Sequence, residues 1–184
     1  GSAVYSHADS LLQSSWAKRD RFKFEKTVEV EEIDNPRLAV AYEAYTARLQ
    51  GGGNEQVFFH ACAETAIDSI VDSGLLKCFQ KSATGGWQRF GPGFYFALQS
   101  SKSHDYPIQQ MQSLTAGVTH TRRMLLFKVA KGRVCETYQN MSTLQGAAPA
   151  GFDSVRSNIT PSTRHDEEWC MACVAQQSHT VWYG

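Results

Sequence analysis

Apolar and polar positions along the chain predict short strands mixed with a few helices. Phe22, Phe24, Val28 and Val30 share one parity, the pattern of a half-buried strand. Asp34-Asn35-Pro36 then supplies a capping pair followed by proline at a first helical position. Behind it Leu38, Ala41, Tyr42, Tyr45 and Leu49 recur at helical spacing until Gly51-Gly52-Gly53 ends the segment. Residues 56–62 (QVFFHAC) read as a short apolar strand. Residues 63–73 read as a helix with Ile67, Ile70 and Val71 inward, and Gly74 occupies the C′ position that favours positive φ. Residues 80–93, rich in Gly, Ser and Thr, predict a loop. Residues 93–97 predict a brief aromatic strand, followed by a serine-rich helix start at Ser100-Ser101-Lys102-Ser103. A strongly apolar strand is expected over 124–130, and two more over roughly 168–176 and 180–183. Without a regular βαβ alternation, this order of elements predicts an α+β fold.

Composition narrows the picture. At 184 residues, 42% of them hydrophobic, the chain suits one compact domain over 21–184, with residues 1–20 as a polar, partly ordered lead-in. Gly1-Ser2 resembles a cloning remnant, so a segment of a longer protein is expected. No apolar run approaches the ~20 residues that cross a bilayer, so no membrane partner is expected. Eighteen basic residues balance eighteen acidic ones, which gives no sign of a grip on nucleic acid or anionic lipid. Five scattered cysteines make an odd count for a disulfide framework and suggest reduced thiols in an intracellular protein, cytoplasmic or nuclear.

Three stretches stand out: FFHACAETAIDSIVDSGL (58–75), FGPGFYFALQSSKSHDY (90–106) and EEWCMACVAQ (167–176). Taken singly, each has a plain explanation. His60 at a strand end is more often a satisfied rim histidine than a catalytic group. Tyr95 and Tyr106 suit core aromatics with a hydroxyl at the surface. Glu168 suits a solvated strand start. Gly91-Pro92-Gly93 fails the dinucleotide fingerprint, because Phe96 stands at its sixth position and Pro92 lacks the N–H that a phosphate cradle uses. What this turn offers is a strand that aims Tyr95, and then a helix start whose Ser103 and Tyr106, three apart, share one face. Two phenol rings and a hydroxyl make a slot for a flat aromatic amide. The Cys170-x-x-Cys173 pair near His165 and His179 raises zinc, but on one strand the two thiols face opposite sides, and no metal is expected. Cys62 beside His60 raises a thiol nucleophile, for which no orienting third residue is identifiable.

Together the stretches resemble the catalytic domain of the poly(ADP-ribose) polymerase family, within the diphtheria-toxin-like ADP-ribosyltransferases. His60 falls where the family's H-G histidine sits. Tyr95 matches the tyrosine of its G-x-Y-F-A strand, and Ser103 and Tyr106 match its S-K-S-x-x-Y segment. Glu168, with Trp169 and Gln176 in register, matches its closing E-Y-x-x-x-x-x-x-Q strand. Residues 140–155, with Gly-Phe-Asp-Ser-Val, and residues 28–49 are similar to further family segments, so the likeness runs in order over about 28–183. The resemblance implies two packed, mostly antiparallel sheets with a few flanking helices. It implies NAD⁺ as co-substrate, a protein acceptor or the chain itself as target, and His60, Tyr95 and Glu168 as catalytic triad. It also implies that His60, Ala61, Cys62, Tyr95, Ser103 and Tyr106 bind NAD⁺, with transfer of single ADP-ribose units favoured over polymer synthesis. This sequence departs from the pattern twice. Ala61 replaces the glycine after the histidine, and Cys62 replaces the serine or threonine that follows. The alternative these departures raise is a weak or inactive relative serving as a binding or scaffolding module.

Overall fold

The structure, a computed structural model, describes residues 2–16, 23–49, 52–75, 89–108, 119–144, 147–157, 169–171 and 175–183. Four helices, α1 (Ser2–Ser15), α2 (Pro36–Thr46), α3 (Glu64–Ser73) and α4 (Ser100–Ile108), flank two four-stranded sheets among these residues. The first sheet runs in the order β1 (Thr27–Glu32), β8 (Ala175–Tyr183), β4 (Arg122–Ala130), β2 (Glu55–His60), all antiparallel. The second runs β3 (Phe94–Phe96), β7 (Trp169–Met171), β6 (Ser154–Ser157), β5 (Val134–Thr137), with β5 and β6 parallel and the other pairs antiparallel. This is the expected α+β architecture of two mostly antiparallel sheets.

Local chemistry explains the helices. Asn35 caps α2 by accepting the Leu38 N–H at 3.3 Å, and Pro36 sits in the first turn, where no N–H is needed. The same Asn35 side chain donates to Val71 O and Asp72 O, closing the last carbonyls of α3. Gly74 ends α3 at φ 76°, as its position in the sequence predicts, and its N–H bonds back to Ile70 O at 2.8 Å. Ile67 is the buried residue of α3, with Ile70 and Val71 packed beside it.

The core lies on both sides of β4. Leu125, Phe127 and Val129 join Phe58, Ile67, Phe94 and Phe96 between the sheets. Met124 and Leu126, on the other face, join Phe59 beneath Ala8 and Leu12 of α1. A strand covered on both faces reads as the continuous apolar run seen here.

Four expectations change. The polar lead-in forms α1, whose Ala8 and Leu12 are fully buried four residues apart; with so few apolar positions the stripe is narrow, and only the sheet beneath reveals it. Val28 does not share the inward parity of Val30. The pairing with β8 shifts between Thr27 and Glu29, and this irregularity leaves Val28 48% exposed. The tail read as one strand over 168–176 divides: β7 serves the second sheet, while β8 begins at Ala175 and serves the first. β5 and β6 were not expected at all, because four residues with polar Ser154, Arg156 and Ser157 carry no readable alternation.

Truncating Leu12 to alanine is expected to cost about 2–4 kcal/mol of stability, since its side chain is fully buried. Val28→Thr is expected to stay within about 0.5 kcal/mol of the parent. Urea unfolding of both variants checks the pair, and equal stabilities would remove α1 from the core.

Candidate active site

The two sheets touch where β2 meets the end of β3. Phe59 N–H donates to Ala97 O at 2.9 Å and Ala97 N–H donates to Phe59 O at 3.1 Å, an antiparallel bridge outside either ladder. The next residue, His60, ends β2. Its Nδ1 lies 2.9 Å from Tyr95 O. A carbonyl only accepts, so neutral His60 carries its proton on Nδ1, and Nε2 is left as an acceptor. The ring is held by Phe96 and Phe127, with centroids at 5.6 and 6.0 Å. Burial holds its pKa below 6.5, against a smaller opposing pull from the Tyr95 bond. The site therefore presents a neutral, oriented imidazole at neutral pH.

Tyr95, on β3, turns its hydroxyl towards the preceding turn. It donates to Gly91 O at 2.8 Å and accepts the Phe90 N–H at 3.0 Å, and its ring lies parallel to that of Phe90. Gly91 has φ 71°, and a Cβ there would come within 2.1 Å of Leu144 O, so only glycine closes this turn. The Gly91-Pro92-Gly93 segment is thus a narrow elbow braced by a phenol. Tyr95 reaches His60 through its own carbonyl, while its hydroxyl fixes the elbow.

Ser103 is buried on α4, and its hydroxyl donates to Phe59 O at 2.9 Å. That carbonyl therefore takes two hydrogen bonds, from Ala97 and from Ser103. With its proton committed, the Ser103 oxygen offers lone pairs, which suit an amide N–H. Tyr106 lies three residues further along α4; its side chain is outside the described part of the structure, and Glu168 lies outside the described residues altogether. Trp169, which follows Glu168 in the chain, pairs with Phe96 of β3.

Ala61 and Cys62 link β2 to α3. The Ala61 side chain packs against the cluster of Phe59, Met124 and Leu126 beneath α1, whereas Cys62 packs against the inter-sheet cluster. Burial pushes the Cys62 thiol up to about 11, reinforced by Glu64 and only partly offset by Arg123. Burial thus opposes the thiolate form that a nucleophile needs. Arg123 of β4 pairs with both Glu64 and Asp68 and so pins the first turns of α3, an anchor that no motif announced. For the zinc reading, Cys170 lies on β7 and His179 on β8, in different sheets, while Cys173 and His165 lie outside the described residues.

A separate open cleft of about 360 Å³ is lined by Glu31, Asp34, Asp68 and Asp72 together with Arg123. Neither His60, Tyr95 nor Ser103 reaches it. Four carboxylates against one guanidinium give it the wrong sign for a ligand carrying phosphates.

Residues 2–176 match the family model of the poly(ADP-ribose) polymerase catalytic domain, and the chain belongs to that family. It is similar to human (Homo sapiens) protein mono-ADP-ribosyltransferase PARP3, with 34% identity over 118 residues, or 63% of this chain. The chain spans about a fifth of that relative's length (20%).

Two outcomes follow from this geometry. Tyr95→Phe strands the Phe90 N–H and the Gly91 carbonyl, at an expected cost of about 1–3 kcal/mol, readable by thermal melting. His104, buried on α4 and close to Arg122, has its pKa lowered to about 4, chiefly by desolvation. Because His60 and His104 both titrate below their unfolded value near 6.5, the unfolded chain binds more protons as pH falls, and stability drains between about pH 6.5 and 4. Nuclear magnetic resonance titration of the imidazole carbons checks this directly. Both rings titrating at 6.5 would contradict it.

Proposed function

We propose that this domain transfers ADP-ribose from NAD⁺ to a protein acceptor, one unit at a time, with release of nicotinamide. The observation that carries the reading is the junction of the two sheets. There a neutral His60 with Nε2 as acceptor, the β3 elbow and the Ser103 oxygen converge on Phe59 and Tyr95 backbone. His60 Nε2 would accept a hydrogen bond from a ribose hydroxyl and hold the dinucleotide bent. Ser103 would receive the carboxamide N–H, with Tyr95 and Tyr106 bounding the nicotinamide ring.

The chemistry follows from charge. When the bond between ribose C1′ and the pyridinium nitrogen breaks, its electron pair leaves with nicotinamide and the sugar becomes oxocarbenium-like. A carboxylate stabilises that charge and accepts the 2′-hydroxyl proton in a hydrogen bond. Glu168 is assigned this role, and it also draws the proton from the attacking acceptor group as the new bond to C1′ forms. Single-unit transfer is supported by the relative, which is itself named a mono-ADP-ribosyltransferase.

Ala61 is the feature that favours a second reading, a module that retains the fold and does no chemistry. Its packing against Phe59, Met124 and Leu126 supports the enzyme instead, since the methyl has a place in the core beneath α1. The thiol of Cys62, also packed, takes from the ribose region a hydroxyl donor and weakens NAD⁺ binding rather than preventing it.

Incubation with labelled NAD⁺, followed by mass spectrometry of the chain and of a cell extract, is expected to show single ADP-ribose additions. Glu168→Ala is expected to lower transfer at least about a hundredfold with an unchanged melting midpoint. Benzamide at millimolar concentration is expected to raise that midpoint in the parent protein by mass action. No label together with no benzamide shift would establish the non-enzymatic module.

A further inference from the structure

The serine-rich start of α4 is buried, yet its polar atoms are met from the far end of the chain. Ser100 is fully buried. Its N–H donates to Ser15 Oγ at 3.2 Å, its hydroxyl donates to Leu12 O at 2.9 Å, and the two serine oxygens lie 2.9 Å apart. Ser15 has one proton to give, and both Leu11 O, at 2.7 Å, and Ser100 Oγ lie within its reach. The last carbonyls of a helix and the first N–H groups of a helix both lack intrahelical partners. Here the end of α1 and the start of α4 supply each other.

The usual N-cap is a hydroxyl or carboxamide on the residue that opens the helix. In α4 the hydroxyl comes instead from Ser15, 85 residues earlier. Ser103 lies one turn inside the capped end, its N–H bonded to Gln99 O at 3.3 Å and its hydroxyl to Phe59 O. The Trp16 ring, directly after α1, sits 5.0 Å from the ring of His104. The first turn of α4 is therefore held by α1 on one side and by β2 on the other.

We propose that Ser15 is a positioning residue: by capping α4 from α1 it sets the place of Ser103 in the pocket for the nicotinamide amide. This rests on the reading that Ser103 receives that amide. A frayed first turn would let the Ser103 oxygen wander from the sheet junction, and a ligand would have to restore the turn before binding. Loss of the cap therefore appears as weaker affinity. General loosening of α1 appears as a lower melting midpoint alone.

The test uses the intact chain and benzamide as probe, with affinity from calorimetric titration and α4 amide protection from hydrogen exchange. Ser15→Ala is expected to weaken benzamide about fivefold and to speed exchange at the first-turn amides of α4 by a similar factor. Ser15→Thr, which keeps the hydroxyl, should restore both to within about twofold. Ala8→Gly loosens the same helix away from the cap and should lower the melting midpoint while leaving affinity and α4 exchange unchanged. Parent-like affinity and exchange in Ser15→Ala, or equal weakening in Ala8→Gly, would overturn the assignment. If the parent itself ignores benzamide, the proposed function fails. The exchange data alone then decide whether Ser15 caps α4.

Discussion

The Phe59 carbonyl is the contact on which the rest of the structure depends. It accepts one hydrogen bond from Ala97 and another from Ser103, so a single oxygen ties the first sheet, the second sheet and α4 together. Both of its lone pairs are used, and the group is buried where no water competes. His60 follows it directly, and the hydrogen bond from His60 Nδ1 to Tyr95 O repeats the tie one residue on. The candidate site lies at this seam of the fold, where the protein's own hydrogen bonds hold His60, Tyr95 and Ser103 in place.

Around that seam, the supports are mostly short-range and cheap to specify. Gly91 gives the elbow its positive φ, the Tyr95 hydroxyl braces it, and Arg123 holds the first turns of α3 against β4. The Tyr95 brace is local, four and five residues back in the chain, whereas Arg123 reaches Glu64 and Asp68 across more than fifty residues. Burial lowers the pKa of the two histidines nearby, His60 and His104, and holds both neutral. The local electrostatics therefore change little across the physiological range.

Legibility from sequence divides along the same line. α2 was readable because Asn35, Pro36 and a five-residue apolar recurrence signal it locally, and α3 because its inward isoleucines and Gly74 do the same. Of the three separated motifs that mark the candidate site, the structure brings His60, Tyr95 and Ser103 of two together, and Glu168 of the third lies outside the described residues. What escaped depends on partners. α1 shows its apolar stripe only against Met124 and Leu126, the irregularity at Val28 exists only through its pairing with β8, and the tail changes sheets for reasons of topology rather than composition. β5 and β6 are too short and too polar for periodicity to mark them.

The two-sided burial of β4 has a consequence for how the chain finds its alignment. In an ordinary half-exposed strand, a one-residue slip would throw apolar groups into water, and that penalty selects the pairing. Here Met124 and Leu126 on one side and Leu125, Phe127 and Val129 on the other are all apolar, so greasiness alone hardly discriminates between the two offsets. Lys128 breaks the tie. It shares a side with Met124 and Leu126 but emerges to pair with Glu55 at 3.0 Å and to lie over the Tyr42 ring. Displacing the strand by one position would drag that ammonium inward and part Arg123 from Glu64 and Asp68, so the charges on β4 act as the indexing pins of the central plank.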